Sequence, residues 1–470
     1  MIDRTTYAPG STTARATQRC ISGTCGAVYD LAERIHVCAK CGEPLEVELN
    51  RDQIAKVATS PIALRQLWKS RAGSTLPWDR SGVWRRRELL PFDESSPIVT
   101  LFEGNTPLYD APRCAEYAGL QELRLKHQGC NPTGSFKDTG MTVALTHAVV
   151  TGARTTVCAS TGNTAASLAA YSACARLQCL ILVPYGQITP AKLAQSIDYG
   201  AVVCEIDGNF DDCMRLAKDL DTDKSIYLAN SINPFRVEGQ KTVAFELMEQ
   251  CEWRVPGHIV VPGGNLGNST ALGKGFKELR ELGLIDRVPR INVVQAEGSA
   301  PFAHLFAELK RNKRDEIAMP AAITPEKNPR TLATAIKIGA PVSWKKALRE
   351  VLRTEGEVIS VSEQEIADAK AVIGREGIGC EPASATTLAG IRKLVASGHI
   401  RSGEAVVAVI TGHMLKDPEY VSDYHRGTLS LPSGPADEQD GGKITGRLRN
   451  ATERIPANRS AVLEVLHRRF

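Results

Sequence analysis

From Gly104 to about Arg426 the chain alternates short β-branched runs with amphipathic helical stretches. That alternation constrains the fold more than any other feature. A strand followed by a helix before the next strand pairs in parallel, with the helix as its crossover. The pattern predicts strands over residues 123–126, 155–159, 179–184, 201–207, 226–229, 259–262, 291–295 and 406–410, and helices such as 163–177 and 269–282. No internal repeat interrupts it. The loops with the most unusual composition all fall just after predicted strands, where open α/β sheets place their ligands.

At 470 residues the chain is long enough for more than one core. Four segments are expected. Residues 1–50 carry four cysteines, and residues 51–103 are rich in Pro, Trp and Arg and read as a connecting arm with a short helix at 62–70. Residues 104–426 form the α/β body, and residues 427–470 begin with a Pro/Gly/Asp-rich linker at 431–443 and close on a helix at 460–469. A net charge of +4 is small for this length, which points to neither a nucleic-acid nor a membrane partner. No apolar run is long enough to span a bilayer, and residues 1–19 lack the apolar centre of a signal peptide. Thirteen cysteines, an odd number with several inside apolar runs (Cys158, Cys179, Cys204), suit thiols in a reducing cytoplasm rather than a disulfide framework.

Within the body, Asn131-Pro132-Thr133-Gly134-Ser135-Phe136-Lys137-Asp138 puts one lysine directly after a turn-forming run, where a helix is about to start. A cation there opposes the helix dipole. An isolated Ser-Phe-Lys would be read as a surface lysine after a turn. Small residues in front of Lys137, however, leave room for a flat ring, and an imine would remove the unfavourable charge. Both suit a Schiff base to pyridoxal 5'-phosphate (PLP). Ser160-Thr161-Gly162-Asn163-Thr164 ends a strand and opens a helix whose free N–H groups would bind a carboxylate or phosphate, although ordinary N-capping uses the same residues. The amide of Asn163 could reach a phenolic oxygen on a ring held by Lys137.

Gly263-Gly264-Asn265-Leu266-Gly267-Asn268 lies between a strand and a helix, with glycines that let backbone N–H groups fold around a phosphate. Neither a dinucleotide Gly-x-Gly-x-x-Gly nor a Gly-Lys-Ser/Thr loop is present. A tight turn alone explains one or two of the three glycines. Thr411 closes the last predicted strand, where its hydroxyl could meet a ring nitrogen or simply form a strand-end turn. Ser231 and Arg236, in Asn230-Ser231-Ile232-Asn233-Pro234-Phe235-Arg236, could form a second anion site for a substrate phosphate, against the plain reading of a solvated arginine beside a capped helix. Cys20-x4-Cys25 and Cys38-x2-Cys41 have the pairing of two zinc knuckles around a hairpin at 28–36, the first two residues longer than usual; a metal-free remnant is the competing reading.

Taken together these runs resemble the threonine synthases, PLP enzymes of the tryptophan-synthase-β fold, and their plant-type branch in particular. The resemblance rests on Ser81-Gly82-Val83-Trp84-Arg85, Glu103-Gly104-Asn105-Thr106-Pro107-Leu108, Thr133 to Asp138 and Ser160 to Thr164. It continues through Asn209-Phe210-Asp211-Asp212-Cys213-Met214, Asn230 to Pro234, Glu238-Gly239-Gln240-Lys241-Thr242, Pro262 to Asn268 and Thr411-Gly412-His413-Met414-Leu415-Lys416-Asp417. Two positions depart from the common pattern: Thr139 stands where many relatives have Arg, and Met414 where many have Gly.

The resemblance implies an α/β protein of PLP fold type II: two α/β domains with mostly parallel sheets, the smaller at about 141–230 inserted in the larger, plus the small zinc-ribbon-like N-terminal segment. It implies Lys137 as the imine lysine, Asn163 at the phenolic oxygen, Gly264, Asn265, Leu266, Gly267 and Asn268 at the cofactor phosphate, and Thr411 at the pyridine nitrogen. Ser231, Arg236 and Asn265 would meet a substrate phosphate, and Ser160, Thr161, Gly162 and Thr164 the substrate carboxylate. The implied reaction converts O-phospho-L-homoserine and water to L-threonine and phosphate, in a homodimer. Serine or threonine dehydratases and cysteate synthases share the scaffold; the Ser231–Arg236 segment argues for a phosphorylated substrate, which weakens only the dehydratase reading. A nucleic-acid-binding zinc ribbon on an inactive body finds no aromatic-plus-basic strand pattern in support, and an intact Lys137 opposes it.

Overall fold

The computed structural model describes residues 15–57, 60–186, 190–311, 322–431, 442–450 and 452–469. Its strands fall into three sheets. The largest runs in the order Val358–Val361, Arg290–Ala296, His258–Pro262, Val406–Ile410, Leu123–His127, Leu108–Asp110. All neighbours are parallel except the last, an antiparallel edge strand. A second sheet sets Val202–Ile206, Gln178–Pro184, Thr155–Ala159 and Ile226–Leu228 side by side, wholly parallel. His258–Pro262 and Val406–Ile410 are buried along their whole length. This is the condition under which parallel strands read as continuous apolar runs.

All eight strands expected from the sequence form, with ends displaced by one residue at most. Val358–Val361 and Leu108–Asp110 were not expected. The first is four residues long, too short for a periodic signal, and the second is a three-residue edge that exists through its pairing with Arg124, Leu125 and Lys126. No helix among the described residues is long and apolar enough to cross a membrane.

Part of the segment read as a connecting arm lies instead in the interior. The expected helix forms as Pro61–Arg71, capped by the Ser60 hydroxyl, which accepts from the Ala63 N–H. Beyond it Trp84, Arg86, Leu89, Leu90 and Phe92 are all buried. The Trp84 indole donates to Thr142 Oγ1 at 2.7 Å, and the Trp68 indole to Glu88 Oε2 at 3.1 Å. Arg86 is fully enclosed but ion-paired with Glu249. Trp and Arg look like surface residues in composition, yet a ring with a satisfied N–H and a paired guanidinium are both tolerated inside.

The N-terminal segment is an antiparallel sheet with Ala16–Cys20 between Val28–Tyr29 and Leu45–Leu49. The hairpin expected over 28–36 does not form: only Val28 and Tyr29 pair, with Arg19 and Gln18. The chain then turns away to deliver the Leu31 carbonyl to His147 Nε2 at 2.8 Å and His36 Nε2 to Asp221 at 2.9 Å. Contacts to another part of the fold replaced the ladder. The closing helix runs Arg459–Arg469; of the linker expected at 431–443, residues 432–441 lie outside the described residues.

Candidate active site

Lys137 is the first residue of the helix Lys137–Val150. The turn before it is held by Asp138, whose carboxylate accepts from the Thr133 N–H (2.7 Å), the Thr133 hydroxyl (2.7 Å) and the Ser167 hydroxyl (2.6 Å). Two backbone bonds stitch the turn to the end of the central strand: the Phe136 N–H donates to the Thr411 carbonyl, and the His413 N–H to the Gly134 carbonyl, each at 2.9 Å. Lys137 is thereby held against Thr411 although 274 residues separate them in the chain (411 minus 137).

Its helix crosses Pro234–Gln240 at glycines. A Cβ on Gly239 would fall 1.8 Å from the Thr139 carbonyl oxygen, and one on Gly140 would fall 2.7 Å from the Arg236 carbonyl oxygen. This close crossing brings Arg236 beside the lysine. Burial, with the Arg236 guanidinium next, pulls the Lys137 ammonium down to about 7, and Glu381 acts in the opposite direction. A substantial share of the amine is therefore neutral near neutral pH, the state a nucleophile or base requires.

Asn163 begins the helix Asn163–Cys174, and its Nδ2 donates to Glu381 Oε2 at 2.8 Å. The Thr411 hydroxyl lies 2.9 Å from the other oxygen of the same carboxyl group. Ser384 Oγ is 2.9 Å from the Thr411 hydroxyl and accepts the N–H groups of Thr411 and Gly412 at 2.8 and 3.2 Å. Gly412 must lack a side chain, since a Cβ would sit 2.4 Å from the Glu381 carboxyl carbon. Burial raises the Glu381 carboxyl above the ordinary range, opposed by its contacts with Asn163 and Thr411 and by Lys137 and Lys416.

The remaining expected residues line the same carboxyl ends of the strands. Ser160 to Thr164 follow Thr155–Ala159 and are all at least partly open. Asn230 ties the start of this loop to that of the next: its side chain pairs with the Ala159 N–H (3.0 Å) and carbonyl (2.9 Å), leaving Ser160 and Ser231 on neighbouring turns. Arg236 is buried; its Nη1 donates to the Ala229 carbonyl at 3.1 Å, while Nε has no partner. At the other end, Gly263 to Asn268 lead into the helix Gly267–Glu281, with Leu266 in the left-handed region (φ 65°). The first N–H groups of that helix have no carbonyl behind them, and the buried Asn268 Nδ2 also lacks a partner. Gln240, whose Oε1 is buried without a partner, lies between this loop and Gly140. An unpartnered amide beside a helix N-terminus suits an anion. The donors at residues 264–268, the amine of Lys137, the Asn163 amide and the Thr411 hydroxyl thus fit the phosphate, aldehyde and ring functions of PLP.

In the N-terminal sheet the four sulfur atoms of Cys20, Cys25, Cys38 and Cys41 all lie within 4.8 Å of one another. Cys20 and Cys41 are 3.4 Å apart and Cys25 and Cys38 3.6 Å apart. Tetrahedral zinc with Zn–S bonds of about 2.3 Å needs sulfur separations of about 3.8 Å, so the cluster has the right size. The Tyr29 hydroxyl, 3.1 Å from Cys38 Sγ, and the Ser22 N–H, 3.5 Å from Cys20 Sγ, are placed to donate to thiolates.

A model of the pyridoxal-phosphate-dependent enzymes matches residues 99–412, which spans the six- and four-stranded sheets and the site residues from Lys137 to Thr411. Threonine synthase of Methanocaldococcus jannaschii is 45% identical over 404 residues, covering 86% of this chain and 93% of that protein. The chain belongs to the threonine synthase family of PLP-dependent enzymes. Threonine synthase of Mycobacterium tuberculosis is 44% identical over 335 residues, 71% of this chain and 88% of that protein. Among solved structures, an L-serine ammonia-lyase of Rhizomucor miehei superposes with a TM-score of 0.55 at 20% identity, over 68% of this chain and 98% of that one. The processed threonine deaminase isoform 2 of Solanum lycopersicum gives 0.54 at 18% identity, over 66% and 79%. These likenesses are in the fold.

Sequence reasoning missed Glu381, Ser384 and Gln240. Glu381 precedes the helix Pro382–Ala396, where an acid reads as an ordinary N-cap; its side chain makes no cap bond and turns into the cleft instead. The signal available was Glu-Pro-x-Ser at the start of a helix.

Proposed function

We propose that this chain converts O-phospho-L-homoserine and water to L-threonine and phosphate, as a cytoplasmic homodimer. When bound, PLP would draw off the negative charge that develops on the substrate carbons. Gly264 to Asn268 would hold its phosphate, Asn163 its phenolic oxygen and Thr411 its ring nitrogen. Lys137 would hold the cofactor through its amine and, as a neutral amine, would take the proton from the substrate's Cα. Ser160, Thr161, Gly162 and Thr164 hold the substrate carboxylate. Ser231, Arg236 and Asn265 grip the phosphate that leaves Cγ before water adds at Cβ.

The observation that carries this reading is Arg236: a buried guanidinium with an unpartnered Nε close to Lys137, on a different element from the helix N-terminus suited to the cofactor's phosphate. A cleft with two anion sites suits a phosphorylated substrate. Thirteen unpaired thiols support a reducing compartment, and the family likeness supports the homodimer. Steady-state assays with phosphohomoserine, phosphoserine plus sulfite, and threonine as separate substrates test the reading. Phosphate and threonine should appear from phosphohomoserine. Turnover confined to either of the other two would replace the proposed reaction.

We infer further that Cys20, Cys25, Cys38 and Cys41 hold one structural zinc ion, supported by their mutual spacing.

A further inference from the structure

Every hydrogen around Thr411 can be assigned. Ser384 Oγ accepts two backbone N–H groups, from Thr411 and Gly412, which occupies both of its lone pairs. Its own hydrogen must then point to Thr411 Oγ1, 2.9 Å away. Thr411 Oγ1 is left with one hydrogen and one lone pair, to be shared between Glu381 Oε1 at 2.9 Å and whatever stands in the cleft. Only two arrangements satisfy this count. If Glu381 is ionised, the threonine hydrogen points to the carboxylate and its lone pair faces the cleft. If Glu381 is protonated, it donates to Thr411, and the threonine hydrogen faces the cleft.

We propose that Glu381 is a positioning residue which, acting through the Thr411 hydroxyl, sets whether the ring nitrogen of the bound cofactor carries a proton. This rests on the reading above that Thr411 meets that nitrogen. With the acid form, Thr411 donates to a neutral ring nitrogen. With the carboxylate, Thr411 accepts from a protonated one. The two interconvert by a single net transfer: the Glu381 O–H bond breaks as the hydrogen passes to Thr411 Oγ1, and the original Thr411 O–H bond breaks as its hydrogen passes to the ring nitrogen. No other reactant is needed.

A threonine alone cannot enforce a ring charge; a threonine backed by a buried carboxyl group can. The groups that bear on Glu381 are Lys137, Lys416 from the loop after Thr411, and the Cys380 thiol beside it in the chain, while Asn163 holds the second oxygen. Once Lys137 is committed to the cofactor, Lys416 is the cation that remains. Enclosure of Glu381 (1% exposed) favours the acid, and Lys416 favours the carboxylate, so both forms lie within reach.

The test uses holoenzyme loaded with cofactor labelled isotopically at the ring nitrogen, read by nitrogen NMR across the neutral pH range. Both arrangements retain the shared proton, so native protein should show a protonated-ring signal that holds over a pH plateau and is lost only where that proton leaves the pair for solvent at higher pH. Glu381→Gln can donate to Thr411 but cannot release a proton, so it should show the unprotonated signal throughout. A Glu381→Gln spectrum with the native pH course overturns the proposal. Thr411→Val separates the two layers: if it too keeps the native course, Thr411 does not meet the ring nitrogen and the underlying placement has failed, whereas an altered Thr411→Val spectrum beside an unaltered Glu381→Gln one overturns the relay alone. A Glu381→Gln spectrum that changes while Thr411→Val keeps the native course also counts against the relay, since the carboxyl group would then act by another route. Should Glu381→Gln not retain cofactor, Glu381→Asp decides: its carboxyl is drawn back by one carbon from Thr411, and the protonated signal must be lost. If it persists, the relay is wrong.

Discussion

Under the proposed function Arg236 and Lys137, which lie close together, have opposite tasks: the arginine must stay charged and the lysine must lose its charge. Burial lowers both, Arg236 to about 10 and Lys137 to about 7, so at neutral pH only the arginine remains fully cationic. A planar guanidinium can grip two phosphate oxygens at once, which an ammonium cannot. Such a charge-assisted contact contributes about 1.5–3 kcal/mol, or roughly ten- to a hundredfold in kcat/KM. Arg236→Ala should lower kcat/KM for phosphohomoserine by that factor and weaken inhibition by inorganic phosphate, while the visible absorbance of the resting holoenzyme stays unchanged. Normal turnover would make Arg236 a structural residue; loss of the cofactor would mean that it serves the other phosphate. Arg236 was visible in the sequence as a charge after a Ser/Asn-rich turn, but its burial was not, because the glycine crossing that encloses it joins segments far apart in the chain.

Among the elements, the N-terminal sheet stands out for the number of separate places it touches. On one side Arg34 Nε donates to Thr151 Oγ1 at 2.9 Å and His36 pairs with Asp221 at 2.9 Å. On the other, Glu46 pairs with Arg349 at 2.7 Å and the Leu45 carbonyl accepts from Lys346 at 3.1 Å. The segment therefore bridges residues packed on the four-stranded sheet and a helix packed on the six-stranded one, Trp344–Arg353. Its own core is only Cys20, Cys38, Leu45 and a few half-buried neighbours, too small to order itself without a staple. Replacing Cys38 and Cys41 by Ser should remove about one equivalent of metal and speed proteolysis within residues 15–50. The cofactor should stay bound, because its loops lie elsewhere. Metal analysis and timed digestion check this; metal-free native protein prepared without chelator would discard the zinc assignment.

For the whole molecule, loss of stability in acid follows from histidines kept neutral inside. His147 is buried between the Leu31 carbonyl (Nε2, 2.8 Å) and the Tyr227 hydroxyl (Nδ1, 2.9 Å), stacked on Phe235 at 3.6 Å. With Nε2–H committed to the carbonyl, Nδ1 accepts from the tyrosine and the neutral ring is satisfied. Burial depresses its pKa from 6.5 to about 3, and that of His258 to about 4. Between pH 6.5 and about 3 the unfolded chain binds the proton that folded His147 refuses. The stability this group provides is complete above pH 6.5 and is lost as pH falls through that window, by about 1.4 kcal/mol per pH unit. Urea titrations at several pH values should show that slope, and His147→Gln should flatten it by the contribution of one group. An unchanged slope in the variant would mean that His147 already charges in the folded state.

Local pattern alone specified the eight parallel strands, because β-branched runs between helical stretches admit little else, and it marked Lys137, Asn163, Gly264 to Asn268 and Thr411 as candidates, because glycines and small polar residues after strands have few structural uses. It failed where a residue's environment comes from distant chain. Residues 51–103 read as an arm because nothing local reveals that Trp84 would meet Thr142, or Arg86 meet Glu249. Residues 28–36 read as a hairpin because nothing local reveals that Leu31 would be claimed by His147. Glu381 went unmarked because its partners, Asn163 and Thr411, reach it from two other elements. Periodicity is a property of a few consecutive residues and survives in the sequence. The charge state, burial and partners of a side chain depend on which segments meet, and only the folded structure decides that.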